Sequence, residues 1–238
     1  MAKKLLLACL ACLATSVQAA PVTFFNTQFD ATALASAGAA FDLQTTPPTP
    51  PGTLIATADP SGTSDPSALA VASNLPGLLS TLTDAFVTTA DFASAAATSH
   101  FQGSFITTGH LILNLDFLQN TSAVGTGSGD SGYHVGLTIG GVPFLNFDVT
   151  PAINDPFTSD TRHYSFETQP GSTGILDVSI FSEAGADGVS GPGGSGNSFA
   201  SLNFTAVVPQ PGTWWLLLIG MAAFGIVQRG RHASPQPA

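Results

Sequence analysis

The chain has no cysteine beyond its first twelve residues; Cys9 and Cys12 are the only two. This excludes a disulfide framework, a cysteine-ligated metal and a cysteine nucleophile from everything that follows them. Basic side chains are almost as scarce. Lys3, Lys4, Arg229 and Arg231 lie near the ends, which leaves Arg162 alone between residues 20 and 206. That stretch holds all fifteen acidic residues against this one basic residue, formally about −14. Such a surface repels phosphate backbones and excludes nucleic acid as a partner. Both tryptophans, Trp214 and Trp215, lie near the C-terminus, so the central stretch has only Tyr133 and Tyr164 beside its phenylalanines. This weakens the case for sugar stacking on a flat ring. Gly-x-Ser-x-Gly, P-loop and His-Glu-x-x-His motifs are absent as well.

The two ends carry addresses. Lys3 and Lys4 precede an apolar run from Leu5 to Ala14, and Val17-Gln18-Ala19 places small residues at −3 and −1 of a cleavage point. Residues 1–19 therefore read as a secretory signal helix, cut after Ala19. At the other end, Val208-Pro209-Gln210-Pro211-Gly212 breaks the chain before an uncharged run from Trp214 to Val227, followed by Arg229, Arg231 and His232. At about 1.5 Å per residue the run spans about 21 Å, short of a hydrocarbon core of about 30 Å. Gly212, Thr213 and Gln228 extend it to about 25 Å, and the arginines can snorkel across the remainder. The reading is a single transmembrane helix at about 213–228. The tryptophans lie at one interface, and the arginines stop the segment on the cytoplasmic side.

Pro209-Gln210-Pro211-Gly212-Thr213-Trp214, the apolar run and the arginine-containing end resemble the PEP-CTERM sorting signal of Gram-negative bacteria. The resemblance covers about 30 residues of 238 and concerns sorting only. It implies an exosortase in the inner membrane as processing partner and a membrane-spanning state before processing. It also implies delivery to the cell surface or extracellular space in a bacterium that makes exopolysaccharide. Gln210 departs from the pattern: the family has glutamate there, and glutamine keeps the shape without the charge.

Between the ends, the clearest periodicity is two. Leu111, Leu113, Leu115 and Phe117 share one face of His110–Leu118, with Asn114 and Asp116 on the other. Ile175–Ser182 and Ser198–Val207 alternate in the same way, and Tyr133–Ile139, Val142–Asp148, Arg162–Thr168 and Val22–Phe29 read as further strands. Gly140-Gly141 is a tight hairpin signal. The expected fold is all-β: one antiparallel β-sandwich or jelly roll over 20–206, ahead of a sorting tail at 207–238. Thr45–Gly52, with four prolines, reads as an extended loop, and Gly125–Gly132 and Gly185–Gly196 as flexible Gly/Ser loops. Asn74–Phe86 reads as one short helix starting at Pro76, with Leu75, Leu78, Leu79 and Leu82 on one side. Ala90–Ser99 is too alanine-rich to assign.

No catalytic residue emerges. Gly129-Asp130-Ser131-Gly132 spells the fragment around a serine-protease nucleophile, but such a tetrapeptide arises easily in a Gly/Ser run, and no upstream histidine segment supports it. His100, His110, His134 and His163 are not at ligand spacing and read as surface or strand-edge residues, with no metal site implied. No cofactor is implied. Calcium is the one candidate ion, at loops carrying Asp148, Asn154, Asp155 and Asp160 or Asp59 and Asp65, although aspartate is also an ordinary turn residue. The expected function is an exported, non-enzymatic structural or adhesive protein of an exopolysaccharide matrix. The alternatives are a carbohydrate-binding module using Tyr133 or Tyr164, and a hydrolase whose two carboxylates converge within about 5–10 Å.

Overall fold

Alternation of inward small or apolar residues with outward polar ones runs well beyond the segments that stand out in the sequence. The structure is a computed structural model in which residues 19–45, 52–59, 65–150, 158–191 and 193–209 are described. Thirteen strands follow one another: β1 (Ala19–Pro21), β2 (Phe25–Ala37), β3 (Ala40–Thr45), β4 (Gly52–Ala58), β5 (Ser67–Leu75), β6 (Leu78–Val87), β7 (Phe92–Ile106), β8 (His110–Gly125), β9 (Ser128–Ile139), β10 (Val142–Val149), β11 (Thr158–Glu167), β12 (Thr173–Asp187) and β13 (Gly194–Pro209). No described residue is helical.

Residues 22–206 form one compact unit. Its first sheet has the order β11-β8-β13-β6-β5-β4 and its second the order β10-β9-β12-β7-β2-β3. The antiparallel sheets pack face to face as a sandwich. Strands of 16 residues such as β8 reach roughly 50 Å at about 3.3 Å per residue.

The interior has two halves. In one, Phe101, Phe105, Phe117, Leu113, Leu137, Val178 and Leu202 are buried, and the rings of Phe24, Phe29 and Phe204 lie 5.2, 5.1 and 5.0 Å from that of Phe101. In the other half the inward positions are almost all alanine, including Ala33 and Ala35 on β2, Ala70 and Ala72 on β5, and Ala95 and Ala97 on β7. Side chains this short let the facing backbones close in: β5 and β7, and β6 and β12, come within 8 Å between Cα atoms, against about 10 Å for ordinary stacked sheets.

A buried polar seam separates the halves. Ser131 Oγ donates to Gln119 Oε1 at 2.6 Å, Ser198 Oγ to the Asp130 carbonyl at 2.7 Å, and Ser99 Oγ to the Ser73 carbonyl at 2.8 Å. Each bond joins one sheet to the other. An apolar core would tolerate sliding of one sheet over the other, but these paired groups lose their partners if it slides.

The side bounded by edge strands β10 and β11 is closed by rings. Phe144 meets Phe166, Tyr164 stacks on Phe166 and meets Phe147, and Phe147 meets Tyr133.

The remaining unit comprises residues 1–21 and 207–238, of which only 19–21 and 207–209 are described. β1 pairs antiparallel with the end of β13, Ala19 opposite Pro209. The expected signal-cleavage residue and the first residue of the expected sorting motif are thus register partners. The signal helix, Gln210, Pro211, Gly212, the transmembrane segment, Arg229 and Arg231 lie outside the described residues. Among the described residues no helix is long and apolar enough to cross a membrane.

Two sequence readings need correction, and one open stretch finds its place. Asn74–Phe86 is not a helix but the hairpin β5–β6, turning at Pro76-Gly77 with Gly77 at φ +80°. Its leucines suggest a helical stripe, but the buried positions on β6 are Leu79, Thr81, Thr83, Ala85 and Val87. Two of these are threonines, which hydropathy counts as polar, so the strict alternation was hidden. Ala90–Ser99 falls mostly in β7, its alternation blurred because alanine occupies both inward and outward positions. The Gly/Ser stretches are in part strand: residues 125, 128–132, 185–187 and 194–196 lie in strands, with a turn at 126 and bends at 188–191. A Cβ on Gly127 would stand 1.8 Å from the Ser195 carbonyl oxygen, and one on Gly196 2.0 Å from that of Ser128. Glycine is there for close backbone passage. The other expected strands form, save that residues 22–24 lie outside any strand and β2 runs on instead to Ala37, and Gly140-Gly141 turns with φ +60° and +81°, as a type I′ hairpin requires.

Candidate functional site: an outer groove on the second sheet

Side chains that point outward from the second sheet line up in rows across its strands. One row runs Asp30 on β2, His100 on β7, Ser179 on β12, His134 on β9 and Asp148 on β10. The adjacent row runs Gln28, Gln102, Asp177, Gly136 and Asn146. Gly136 contributes no side chain. Over it lies a groove of about 450 Å³ lined by Gln102, His134, Asn146 and Asp177, with Leu145 and Ile175 among its apolar walls.

The groove's polar groups are held in place. His100 Nε2 lies 3.0 Å from Asp177 Oδ1 and Nδ1 lies 3.2 Å from Asp30 Oδ2. Gln102 Nε2 donates to the other oxygen of Asp177 at 2.9 Å. A neutral imidazole has one N–H, so only the imidazolium donates to both carboxylates. The His100 pKa is accordingly raised, chiefly by the bond to Asp177, with burial opposing and Asp30 adding. Asp177 is lowered, chiefly by His100 and against desolvation, with Gln102 assisting. At the groove's edge His134 Nδ1 lies 2.8 Å from Asp148 Oδ1.

These shifts define a pH window. A raised histidine stabilises the fold fully below its unfolded value near 6.5, and this is lost as pH rises through the folded value. A lowered aspartate stabilises above its unfolded value near 3.8, and this is lost as pH falls through the folded value. The Asp30–His100–Asp177 bridge is therefore strongest between those two pH values. With side chains 29% to 46% exposed, it contributes about 1 kcal/mol. His100→Gln should lower stability by about this amount at pH 5 and by less at pH 9, as read by urea unfolding. An equal loss at both pH values would show that the imidazolium is not what matters.

A second groove of about 440 Å³ lies on the same face, lined by residues including Leu34, Ser94, Ser128, Asp130, Glu183 and Gly185. Asp130 and Glu183 are direct register partners, which places their Cβ atoms about 4.5–5.5 Å apart.

The residues singled out in the sequence are dispersed by the fold. Ser131 is fully buried and bonded to Gln119, so the protease-like tetrapeptide presents no nucleophile. Tyr133 is 1% exposed, and its hydroxyl donates to Asp160 at 2.7 Å. Burial, with that carboxylate, holds its phenol well above the ordinary value. Tyr133 is no sugar platform, and Tyr164 is engaged in the ring ladder. Asp160 also accepts from Arg162 Nε at 2.7 Å, and the Arg162 guanidinium lies over Phe147, 4.8 Å from the ring centre. The sole basic residue of this stretch is thereby committed internally. Asp65 is bonded to Thr88, and Asn154 and Asp155 lie outside the described residues. No group of three or more metal-ligating side chains occurs among the described residues. His110 lies beside Glu167 and His163 beside Asn114. Gln102, Asn146 and Asp177 were not singled out, because only strand pairing brings them together.

No protein-family model matches the sequence, and no curated protein matches it. Among solved structures, the chain is similar to the enzymatically active domain of bacteriophage CBA120 tailspike protein 4 (8% identity, TM-score 0.26, 75% of this chain and 19% of that one). It is also similar to the adhesin domain of Epf from Streptococcus pyogenes (14%, TM-score 0.29, 76% and 60%). A third likeness is to the CBM22-1 xylan-binding domain of Paenibacillus barcinonensis Xyn10C (8%, TM-score 0.20, 81% and 98%). The chain thus spans 19% of the tailspike chain and 60% of the adhesin chain. Likenesses this slight leave the site to its own geometry.

Proposed function

We propose that this is an exported cell-surface or extracellular-matrix protein, released from the inner membrane by exosortase-type processing of its tail, whose body binds polysaccharide without cleaving it. The observation that supports binding is the groove over Gly136. Amide, imidazole and carboxylate groups converge there beside apolar walls, and Asp177 is fixed by two donors. Sugars present hydroxyl edges and apolar C–H faces together, and such a site meets both. Preorganised acceptors also lose little side-chain entropy on binding. Recognition is therefore polar, through Gln102, Asn146 and Asp177, and not through the tyrosines.

Gln102→Ala/Asn146→Ala should weaken retention in affinity gels cast with host exopolysaccharide at least fivefold, while stability falls by no more than about 1 kcal/mol through loss of the Gln102–Asp177 bond. Unchanged retention would remove the groove from the reading. Asp130 and Glu183 keep a carboxylate hydrolase as the second reading. Release of reducing ends by the wild type, abolished in Asp130→Asn, would replace binding with hydrolysis.

A further inference from the structure

We infer that the outer face of the second sheet takes an extended, amine-bearing polysaccharide chain, laid along β12 across both grooves. The inference rests on the polysaccharide reading above and specifies its ligand. The grooves are collinear. Asp177 marks one and Glu183 the other, six residues apart on a single strand, about 20 Å at about 3.3 Å per residue. A site for a chain end would be one closed pocket. Two open grooves in line suit the interior of a polymer.

Between them Phe181 points outward. A Cβ on Gly132 would lie 2.7 Å from its Cε1 and 3.0 Å from its Cζ, so the ring packs down against the Gly132 backbone. Packed down in this way, it offers a hydrophobic surface where a passing chain needs contact without obstruction.

Charge selects the chain. The two grooves and the row between them carry Asp30, Asp148, Asp177, Asp130 and Glu183, with His100 and His134 as the only cationic candidates. No lysine or arginine lies on any strand of this sheet, and Arg162 is held by Asp160 and Phe147. A uronic-acid polymer is repelled; a chain with free amines is drawn in and paired. The second groove is graded to match. The register row that crosses it runs Leu34, Ala96, Glu183 and Asp130, from the side of β3, where Leu43 opposite Leu34 and neighbouring Phe41 are 49% and 66% exposed beside the groove, to a carboxylate pair. A sugar unit with a C–H face on one side and an ammonium on the other fits that gradient.

The test is calorimetry on residues 20–209 and on the full chain in detergent, using β-1,4-glucosamine di-, tetra- and hexasaccharides, their N-acetylated forms and neutral β-glucan oligosaccharides. Affinity for the amine series should rise at least tenfold from di- to hexasaccharide, exceed that for the N-acetylated hexasaccharide at least tenfold, and fall with salt. Asp130→Asn/Glu183→Gln should remove most of the length dependence while the disaccharide still binds at the groove over Gly136. Phe181→Ala should weaken the hexasaccharide alone. A hexasaccharide no tighter than the disaccharide, or N-acetylated and free-amine chains bound equally, overturns the inference and leaves the polysaccharide reading standing. Failure of every oligosaccharide to bind overturns both.

Discussion

Gly196→Ala should destabilise the fold by about 3 kcal/mol or more, at or beyond the upper end for overpacking, and lower the melting temperature by roughly 6–12 °C for a chain of this size. The added methyl would stand 2.0 Å from the Ser128 carbonyl oxygen and 2.5 Å from that of Gly185. Both are backbone atoms of strands in the opposite sheet, so no side chain can swing aside. Relief requires the sheets to part at this end, which opens the alanine-lined half of the interior along its length. Gly52→Ala is the matched control. Nothing lies within 4 Å of its Cβ position, and a surface change of this kind stays within about 0.5 kcal/mol. Equal effects of the two substitutions in thermal and urea unfolding would show that close passage at Gly196 does not constrain the fold.

The two halves of the interior should respond to side-chain volume in opposite senses. Leu113→Ala in the bulky half removes a fully buried side chain and should cost about 2–5 kcal/mol through lost burial and the cavity left behind. Ala97→Leu in the other half adds volume where facing backbones are within 8 Å, and should cost about 1–3 kcal/mol or more. The reverse expectation, that a larger apolar residue strengthens an alanine core, follows if the alanines merely underfill it. Denaturation of the two variants side by side separates these views, and a stabilised Ala97→Leu protein would show that the sheets have room to spare.

The strands legible in the sequence were those whose inward positions carry leucine, valine or phenylalanine, as in β8, β12 and β13. Where alanine or threonine faces inward, as in β5, β6 and β7, hydropathy contrast vanishes while the burial remains. That half of the sandwich is accordingly illegible to hydropathy alternation. The glycine stretches misled for a related reason: glycine marks both freedom and confinement, and only the position of the facing backbone distinguishes them.

The sequence by itself determined the charge of the body, the absence of cysteine chemistry from it, the β alternation and the expectation of two terminal addresses. These are properties of composition and of spacing along one chain. Tertiary structure decided which outward residues meet. Gln102, Asn146 and Asp177 lie on three strands, each at least 31 residues from the next, and only the register of β7, β12, β9 and β10 sets them around Gly136. It likewise hid Ser131 and Tyr133, both candidates by sequence, because a strand sends alternate residues to opposite faces and these two face the interior.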